Sequence, residues 1–192
     1  SNSQVHKLIF EGIRAIGLEY EKSGKRQIVH AKNEILMSAG AIHSPQILQI
    51  SGVGNATELR QLGIPIVADL PGVGQNLQDH VNAPLLYKSS LPLTANSLYH
   101  NPIRKISEGL KYLFSRKGML AMGACYAGGY IKVQPGVANP DIQALLLLFS
   151  TEDLGGVPHK FDGVTDNVAL MRPESRGYVK AIDRCISTKP II

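Results

Sequence analysis

Two pairs of closely spaced glycines are candidates for a phosphate-binding loop. The GVG segments at 52–54 and 72–74 each form the first half of a GxGxxG dinucleotide-binding fingerprint. That fingerprint must follow a strand and open a helix, so that backbone N–H groups and the helix dipole face the diphosphate. The first segment follows a predicted helix and has Thr57 in place of the third glycine, whereas the second lies in a proline-rich loop and has Leu77 there. We therefore predict that both supply turn glycines with positive φ.

The cysteines show none of the spacings that indicate a metal site or a disulfide framework. Cys125 and Cys185 lie far apart, without a CxxC motif or neighbouring histidines. We interpret them as two free thiols, with one disulfide between them as the alternative. No residue is assigned as a metal ligand.

The first part of the sequence alternates β-like and helical patterns. Apolar alternation predicts strands over 5–10, 13–20 and 26–30. A further strand over 34–38 runs into the small residues 39–41, and the helix that follows is predicted to open at His43-Ser44-Pro45, because proline suits a first helical turn.

Later segments give clearer boundaries. Asn55 and Glu58 form a capping pattern for a short helix over 57–62. Apolar residues at helical spacing predict a further helix over 101–115. Further predicted strands cover 84–88, 126–133, 141–149, 168–172 and 177–182. The change in pattern near residue 80 indicates a boundary between two structural units.

Composition excludes two classes of function. The chain has 192 residues, of which 44% are hydrophobic, and a formal net charge of +5. Its basic residues are scattered and not interleaved with aromatic side chains, which argues against nucleic-acid binding. No apolar run reaches the roughly 18 residues that a membrane-spanning helix needs.

One long segment carries a resemblance to a known family. Residues 40–54, GAIHSPQILQISGVG, resemble the second signature of the glucose–methanol–choline (GMC) oxidoreductases, which passes through Ser-Pro and ends in Ser-Gly-aliphatic-Gly. Further similar segments are 59–65, 69–74, 76–80 and, near the end of the chain, 171–177. The resemblance covers nearly the whole chain and is tightest over 5–80.

The resemblance implies a fold, a cofactor and an activity. The expected fold class is α/β to α+β, with part of a Rossmann-like FAD-binding domain (1–80) joined to part of a mainly antiparallel substrate-binding sheet domain (81–192). GMC enzymes use FAD and oxidise an alcohol by hydride transfer to the flavin. The implied partner is a small-molecule alcohol, bound by the full-length protein. The specific alcohol, the oligomeric state and the choice between dehydrogenase and oxidase stay open.

The resemblance also implies cofactor-binding positions. Val5 occupies the place where a backbone amide and carbonyl recognise the adenine, and Ala39, Gly40 and Ala41 lie where a loop approaches the adenosine diphosphate part of FAD. Small residues suit that loop because a larger side chain would hold the backbone away from the ligand. The alternatives are an ordinary strand residue at Val5 and tight strand–helix packing at 39–41.

Two further positions are implied near the flavin side of the domain junction. They are Asn76 and His80, for which bracing of a loop is the alternative role. His43 takes a place that a small residue usually holds in the signature, and we interpret it as a tolerated surface or loop histidine.

The parts of the family pattern that would do the chemistry do not appear in this sequence. The amino-terminal GxGxxG, the first signature and the carboxy-terminal motif with the catalytic histidine find no match. No catalytic residue is assigned, because none of the six histidines lies in a matching motif. The histidines are His6, His30, His43, His80, His100 and His159. The chain is expected to be an internal fragment that is inactive alone. Alternatives are a non-catalytic or lyase-type relative, a truncated scaffold or interaction module, and an unrelated α+β binding domain.

Overall fold

The protein is described by a computed structural model covering residues 2–92, 94–153 and 155–192. The strands are β1 (Ser3–Glu11), β2 (Arg14–Lys22), β3 (Lys25–His30), β4 (Val53–Gly54), β5 (Ala68–Asp69), β6 (Gln75–Leu77), β7 (Asn82–Lys88), β8 (Cys125–Ile131), β9 (Ile142–Leu147), β10 (Gly163–Leu170) and β11 (Gly177–Tyr178). The helices are α1 (Gly40–Ile50), α2 (Ala56–Gln61), α3 (Ala95–His100) and α4 (Pro102–Ser115), with a 3-10 turn at Met119–Ala121.

The chain forms two compact units. The first comprises the residues up to Gln78 together with Glu174–Ile192, and the second comprises Asp79–Pro173. The sequence-based prediction placed residues 81–192 in one domain, whereas in the structure Glu174–Ile192 belongs to the first unit. The reason is long-range pairing that local patterns do not reveal: β11 pairs with β6, and Lys180 Nζ lies 2.6 Å from Glu58 Oε1. The assignment of the two parts to cofactor and substrate stays a prediction.

The first unit begins with an antiparallel sheet in the order β1-β2-β3. Leu18 pairs with Leu8 on one side and with Val29 on the other. The tight turns use Gly12 and Gly24, both with positive φ, a conformation that glycine adopts without strain. The three strands predicted from apolar alternation are confirmed.

Helix α1 packs on β1 and supplies two of the four residues of a buried apolar cluster in the first unit. Leu8, Ile47, Ile50 and Ile186 form its buried cluster. The Ser51 hydroxyl accepts a hydrogen bond from the Leu8 backbone N–H (2.8 Å) and donates to the Ile47 carbonyl (2.6 Å). This hydroxyl therefore joins the end of α1 to the central part of β1.

The region before α1 differs from the sequence prediction in two ways. Residues 34–38 are not a strand, although Ile35 and Met37 contact the core cluster, because their backbone pairs with no strand among the described residues. The helix begins at Gly40 rather than at His43, so Pro45 lies inside it. The cap predicted for α2 is confirmed: Asn55 Oδ1 accepts hydrogen bonds from the N–H groups of Thr57 and Glu58.

The second unit contains a four-stranded antiparallel sheet in the order β7-β10-β9-β8. Together with the helices it confirms the expected mixed class with an antiparallel second sheet. The predicted strand over 168–172 is longer and starts at Gly163, and α3 was not predicted. Among the described residues, no helix is both long and apolar enough to cross a membrane.

Helix α3 is held by a buried polar network rather than by an apolar face. Asn96 is fully buried, and its side-chain amide donates to the carbonyls of Ser150 (2.9 Å) and His159 (3.0 Å). Its Oδ1 atom accepts a hydrogen bond from the Ser150 N–H at 2.9 Å. Ser150 and His159 lie far from Asn96 in the sequence, which explains why the spacing of apolar residues did not predict α3.

Asp141 closes the turn between β8 and β9. Its Oδ1 accepts a hydrogen bond from the Val133 N–H (2.7 Å) and its Oδ2 accepts one from the Gln134 N–H (3.1 Å). These backbone bonds, the Val133 bond foremost, hold the pKa of Asp141 below its ordinary value, although burial opposes them.

The lowered pKa of Asp141 predicts acid sensitivity of the second unit. Because the folded pKa lies below the unfolded one, the stabilisation is fully present above about pH 4 and is lost as pH falls through the folded pKa. We expect Asp141→Asn to lower the thermal midpoint at pH 7 and to flatten its fall between pH 7 and pH 3. The control is Asp153→Asn, at an exposed aspartate. Equal pH profiles for the wild type and Asp141→Asn would contradict this account.

Candidate functional site

The amino-terminal end of α1 is open. Ala39, Gly40 and Ala41 are exposed, no side chain caps the helix, and its first turn contains no acidic residue. Gly40 has φ +84°, and a Cβ built there would meet no atom within 4 Å. Since the first N–H groups of a helix lack intrahelical partners and carry its positive dipole end, this terminus favours an anion.

Val5 lies on β1 beside the same core as α1. It is half-buried and packs against the cluster of Leu8, Ile47, Ile50 and Ile186. The pairing with β2 shifts between Val5 and Lys7, as in a β-bulge. The Val5 carbonyl accepts a hydrogen bond from the exposed Gln4 side chain at 3.0 Å. β1 is an edge strand, so backbone groups at Val5 are near a free sheet edge among the described residues. The structure therefore brings Val5 and α1 to one core.

Asn76 sits at an irregularity in the β6–β11 pair. Leu77 pairs with Gly177 and Gln75 with Tyr178, which leaves Asn76 between them. Asn76 has φ +64°, and asparagine tolerates this left-handed conformation better than most residues. Its exposed side chain makes no hydrogen bond within the part of the chain that the structure describes.

His80 belongs to the second unit, whereas the other five predicted positions belong to the first. Its N–H donates to Asp79 Oδ1 at 2.9 Å, and its carbonyl accepts from Asn82 Nδ2 at 3.2 Å. These contacts involve its backbone and fit the loop-bracing alternative. Its cofactor role stays a prediction, as do the roles of Val5, Asn76 and residues 39–41.

The two GVG segments serve backbone packing. Gly52 (φ +93°) lies so close to the Pro65 carbonyl that a Cβ would overlap it, and Gly74 (φ +80°) has the same relation to the Val179 carbonyl. Both positive φ values confirm the interpretation as turn glycines. Neither segment follows a strand and opens a helix as a dinucleotide fingerprint requires.

The second unit contains a Ser–His–Glu row that has the residue types of a nucleophilic site. His159 Nδ1 lies 3.1 Å from Ser150 Oγ, and His159 Nε2 lies 3.0 Å from Glu152 Oε2. Ser150, however, is fully buried and also bonds to Asn96. Because a nucleophile must reach its substrate, we assign this row to the network that holds α3.

An open groove of about 990 Å³ in the first unit was not foreseen from the sequence. Three of its charged residues are paired with one another: Glu19 lies 2.8 Å from Arg26 and 3.6 Å from Lys7. Cys185 also lines it, and a hydrogen bond from the Ser187 N–H lowers the pKa of its thiol. The groove is assembled from distant segments, so no local motif could have indicated it.

The described residues contain no group of three His, Cys, Asp or Glu side chains that could hold a metal ion. Cys125 and Cys185 are both exposed free thiols, as the preferred interpretation of the sequence expected.

Comparison with curated proteins gives close relatives over nearly the whole chain. The chain is 42% identical over 188 residues to human mitochondrial choline dehydrogenase, covering 98% of the chain and 32% of that relative. It is 39% identical over 186 residues to oxygen-dependent choline dehydrogenase 1 of Chromohalobacter salexigens, covering 95% of the chain and 32% of that protein. The chain therefore spans about a third of the length of these relatives.

Solved structures share the fold. A formate oxidase of Aspergillus oryzae superposes with a TM-score of 0.84 at 21% identity, covering 99% of the chain and 38% of that structure. A pyridoxine 4-oxidase from Mesorbium loti superposes with a TM-score of 0.70 at 23% identity, covering 98% of the chain and 33% of that structure. Residues 1–82 match the sequence profile of the GMC oxidoreductases. With this match and identities near 40% to choline dehydrogenases, the chain is similar over nearly its whole length to a part of the GMC oxidoreductases.

Proposed function

We propose that the chain is part of an FAD-dependent oxidoreductase that acts on the CH–OH group of a small alcohol. The observation that carries this proposal is the identity of 38–43% to choline dehydrogenases over 92% or more of the chain. Choline is accordingly the first substrate to test. The chain spans about a third of those relatives, so the activity belongs to a protein that also supplies the rest of the fold.

The residues of the first unit fit the adenosine diphosphate half of FAD. At the start of α1, the N–H groups, the positive dipole end and the empty space at Gly40 suit close approach of a diphosphate. The Val5 carbonyl, at a sheet edge, can accept a hydrogen bond from an adenine amino group once the Gln4 side chain moves away. Val5 packs on the same apolar cluster as Ile47 and Ile50 of α1, which supports a common role for β1 and this helix in cofactor binding.

The chemistry divides between the cofactor and the protein. The flavin ring of bound FAD supplies the hydride acceptor. The residues of this chain bind and orient the cofactor, but none of its histidines is assigned as the base that must reach the substrate hydroxyl. We therefore expect the 192-residue chain with added FAD and choline not to reduce an electron-acceptor dye. Dye reduction above the rate with FAD alone would contradict this expectation.

Nucleotide binding tests the cofactor assignment directly. We expect FAD and ADP to shift the amide NMR signals of Val5, Gly40 and Ala41, with weak dissociation constants on the order of 1 mM for a partial pocket. FMN, which lacks the adenosine part, serves as the control and should leave these signals in place. Equal shifts with FMN, or none with FAD and ADP, would overturn the assignment. Stoichiometric flavin absorbance near about 450 nm would instead show that the pocket is complete.

The Ala41→Glu variant tests whether the start of α1 binds a negatively charged group. A carboxylate in the first turn of α1 favours the helix but repels a diphosphate, because both act on the same dipole end. We expect at least about tenfold weaker binding of ADP and FAD, with unchanged far-UV circular dichroism. Ala41→Gln, of the same shape without the charge, should weaken binding less than about threefold. The same loss in both variants would mean that shape, not charge, governs this position.

A further inference from the structure

The second unit contains an open cavity of about 500 Å³ between its antiparallel sheet and its helices. The walls come from α3, α4, the 3-10 turn and the strands β8 and β10, all of which belong to this one unit. The volume lies in the range of about 300–1,000 Å³ that is typical of small-molecule sites. The apolar and aromatic part of the lining includes Leu98, Met119, Met122, Tyr126, Leu148 and Val164.

Polar contacts hold the walls of the cavity in place. Arg104 of α4 donates to Ser97 Oγ (2.6 Å) in α3 and to the Pro92 carbonyl (2.7 Å). Glu108 Oε2, also on α4, accepts a hydrogen bond from the Met119 N–H at 2.9 Å. These bonds join α4 to α3 and to the 3-10 turn without any group from outside the unit. A cavity whose walls are already fixed needs little reorganisation to bind a ligand.

The charged side chains of the lining are engaged within the chain. Besides the bonds of α4 just described, Lys111 Nζ lies 3.5 Å from Glu108 Oε1, and Thr94 Oγ1 donates to Asp162 Oδ1 at 2.5 Å. Two of the three charged lining residues are basic, which disfavours a cation in the cavity. Because burying a charge without a partner is costly, this lining favours a neutral ligand.

Tyr126 and two methionines give the lining a preference for an aromatic ring. The thioethers of Met119 and Met122 can make favourable sulfur–aromatic contacts, and the Tyr126 ring can pack edge-to-face or offset on a second ring. The Tyr126 hydroxyl makes no hydrogen bond within the part of the chain that the structure describes. It can therefore bond to a hydroxyl group of a ligand.

We propose that this cavity binds a small, neutral aromatic molecule that carries a hydroxyl group. Its ring lies against Met119 and Met122, and its hydroxyl bonds to Tyr126. This binding goes beyond the alcohol oxidation proposed above, because it requires neither flavin nor residues outside the second unit. Benzyl alcohol has both the ring and the hydroxyl, whereas choline is a cation without a ring.

Methionine methyl NMR tests the proposal in the 192-residue chain. The four methionines, Met37, Met119, Met122 and Met171, are labelled with ¹³C at the methyl group. We expect benzyl alcohol to shift the signals of Met119 and Met122 with a dissociation constant on the order of 1 mM. The signals of Met37 and Met171, which do not line the cavity, should stay in place. Choline and benzoate, which are charged, should bind at least about tenfold more weakly.

Three variants locate the ligand in the cavity. Met122→Trp places a ring in the cavity and should weaken binding at least about tenfold, with Met119 as the reporter. Val133→Trp adds the same ring at a residue that is 64% exposed and outside the lining, so binding should change less than about twofold. Tyr126→Phe removes only the hydroxyl and should weaken binding of benzyl alcohol about threefold or more, but not that of toluene. Unshifted Met37 and Met171 signals show that each variant is folded.

Each other outcome overturns the proposal. No shift with benzyl alcohol, or equal shifts of all four methionines, would mean that the cavity has no specific ligand of this class. Tighter binding of choline or benzoate would assign the cavity to a charged ligand. Equal affinity of the wild type and Met122→Trp would place the ligand elsewhere. Unchanged affinity of Tyr126→Phe for benzyl alcohol would remove the hydroxyl group from the recognition.

Discussion

Replacement of Gln49 by leucine is expected to destabilise the first unit strongly, because the Gln49 side chain links α1 to two distant backbone segments. Gln49 is 6% exposed and donates to the carbonyls of Val73 (3.2 Å) and Val179 (2.9 Å). Its Oε1 accepts a hydrogen bond from the Ala181 N–H at 2.7 Å. Leucine would remove the partner of one backbone donor and of two backbone acceptors, of which the Val179 carbonyl is buried and the other two groups are part-buried, at about 1–3 kcal/mol for each group left unpaired. We therefore expect a loss on the order of 3–5 kcal/mol.

Urea unfolding followed by circular dichroism, with amide hydrogen exchange to assign the loss to the first unit, measures this effect. Gln61→Leu is the control, because Gln61 is exposed at the end of α2 and should stay within about 0.5 kcal/mol of the wild type. Gln49→Glu keeps the acceptor for the Ala181 N–H but cannot donate to the carbonyls, so an intermediate loss is expected. A Gln49→Leu variant as stable as Gln61→Leu would show that Gln49 does not hold the segment after Glu174 in place.

Gly74→Ala is expected to cost about 3 kcal/mol or more, because two effects add. Gly74 has φ +80°, a conformation that disfavours residues with a Cβ by about 1–2 kcal/mol. The new Cβ would also overlap the carbonyl oxygen of Val179, a backbone atom that cannot turn aside as a side chain could. That carbonyl is the one that accepts from Gln49, so the substitution would disturb the same connection.

Gly72→Ala, two residues away, is the matched control. Gly72 does not have a positive φ, and a Cβ there would meet no atom within 4 Å. Alanine at this position should be neutral or stabilising by about 0.4–1 kcal/mol, since it restricts the unfolded chain. Thermal midpoints of the two variants give the comparison. Similar midpoints would mean that the loop around Gly74 is free to move away from Val179.

Local signals in the sequence predicted the elements that depend on local interactions. Strands β1 to β3 followed from apolar alternation and turn residues, and α2 followed from the Asn55 cap. The elements that were wrong or missed depend on distant partners. Residues 34–38 have strand composition but no partner strand among the described residues, and α3 is held by Asn96 through Ser150 and His159. A sequence pattern contains no information on whether such partners are in place.

The candidate site was predicted by resemblance rather than by physical pattern. Nothing in the periodicity of the sequence selects Val5 or residues 39–41, and the structure adds that Val5 packs on the same core cluster as Ile47 and Ile50 of α1. Gln49 was missed, although a signal was available. Gln46 and Gln49 are polar residues on an otherwise apolar stretch of helix, and both are buried with side-chain bonds to the carboxy-terminal segment. A buried amide in such a position indicates a backbone partner elsewhere in the chain.

The discontinuous first unit determines the order in which the chain can fold as it leaves the ribosome. The second unit, Asp79–Pro173, is continuous, so all of its strands have emerged before the segment after Glu174 is synthesised. The residues up to Gln78 emerge earlier, but Gln49 and Gly74 receive their partners at Val179 and Ala181 only after the whole second unit has been synthesised. Of the two units, the one whose synthesis begins first is therefore expected to acquire its native packing second.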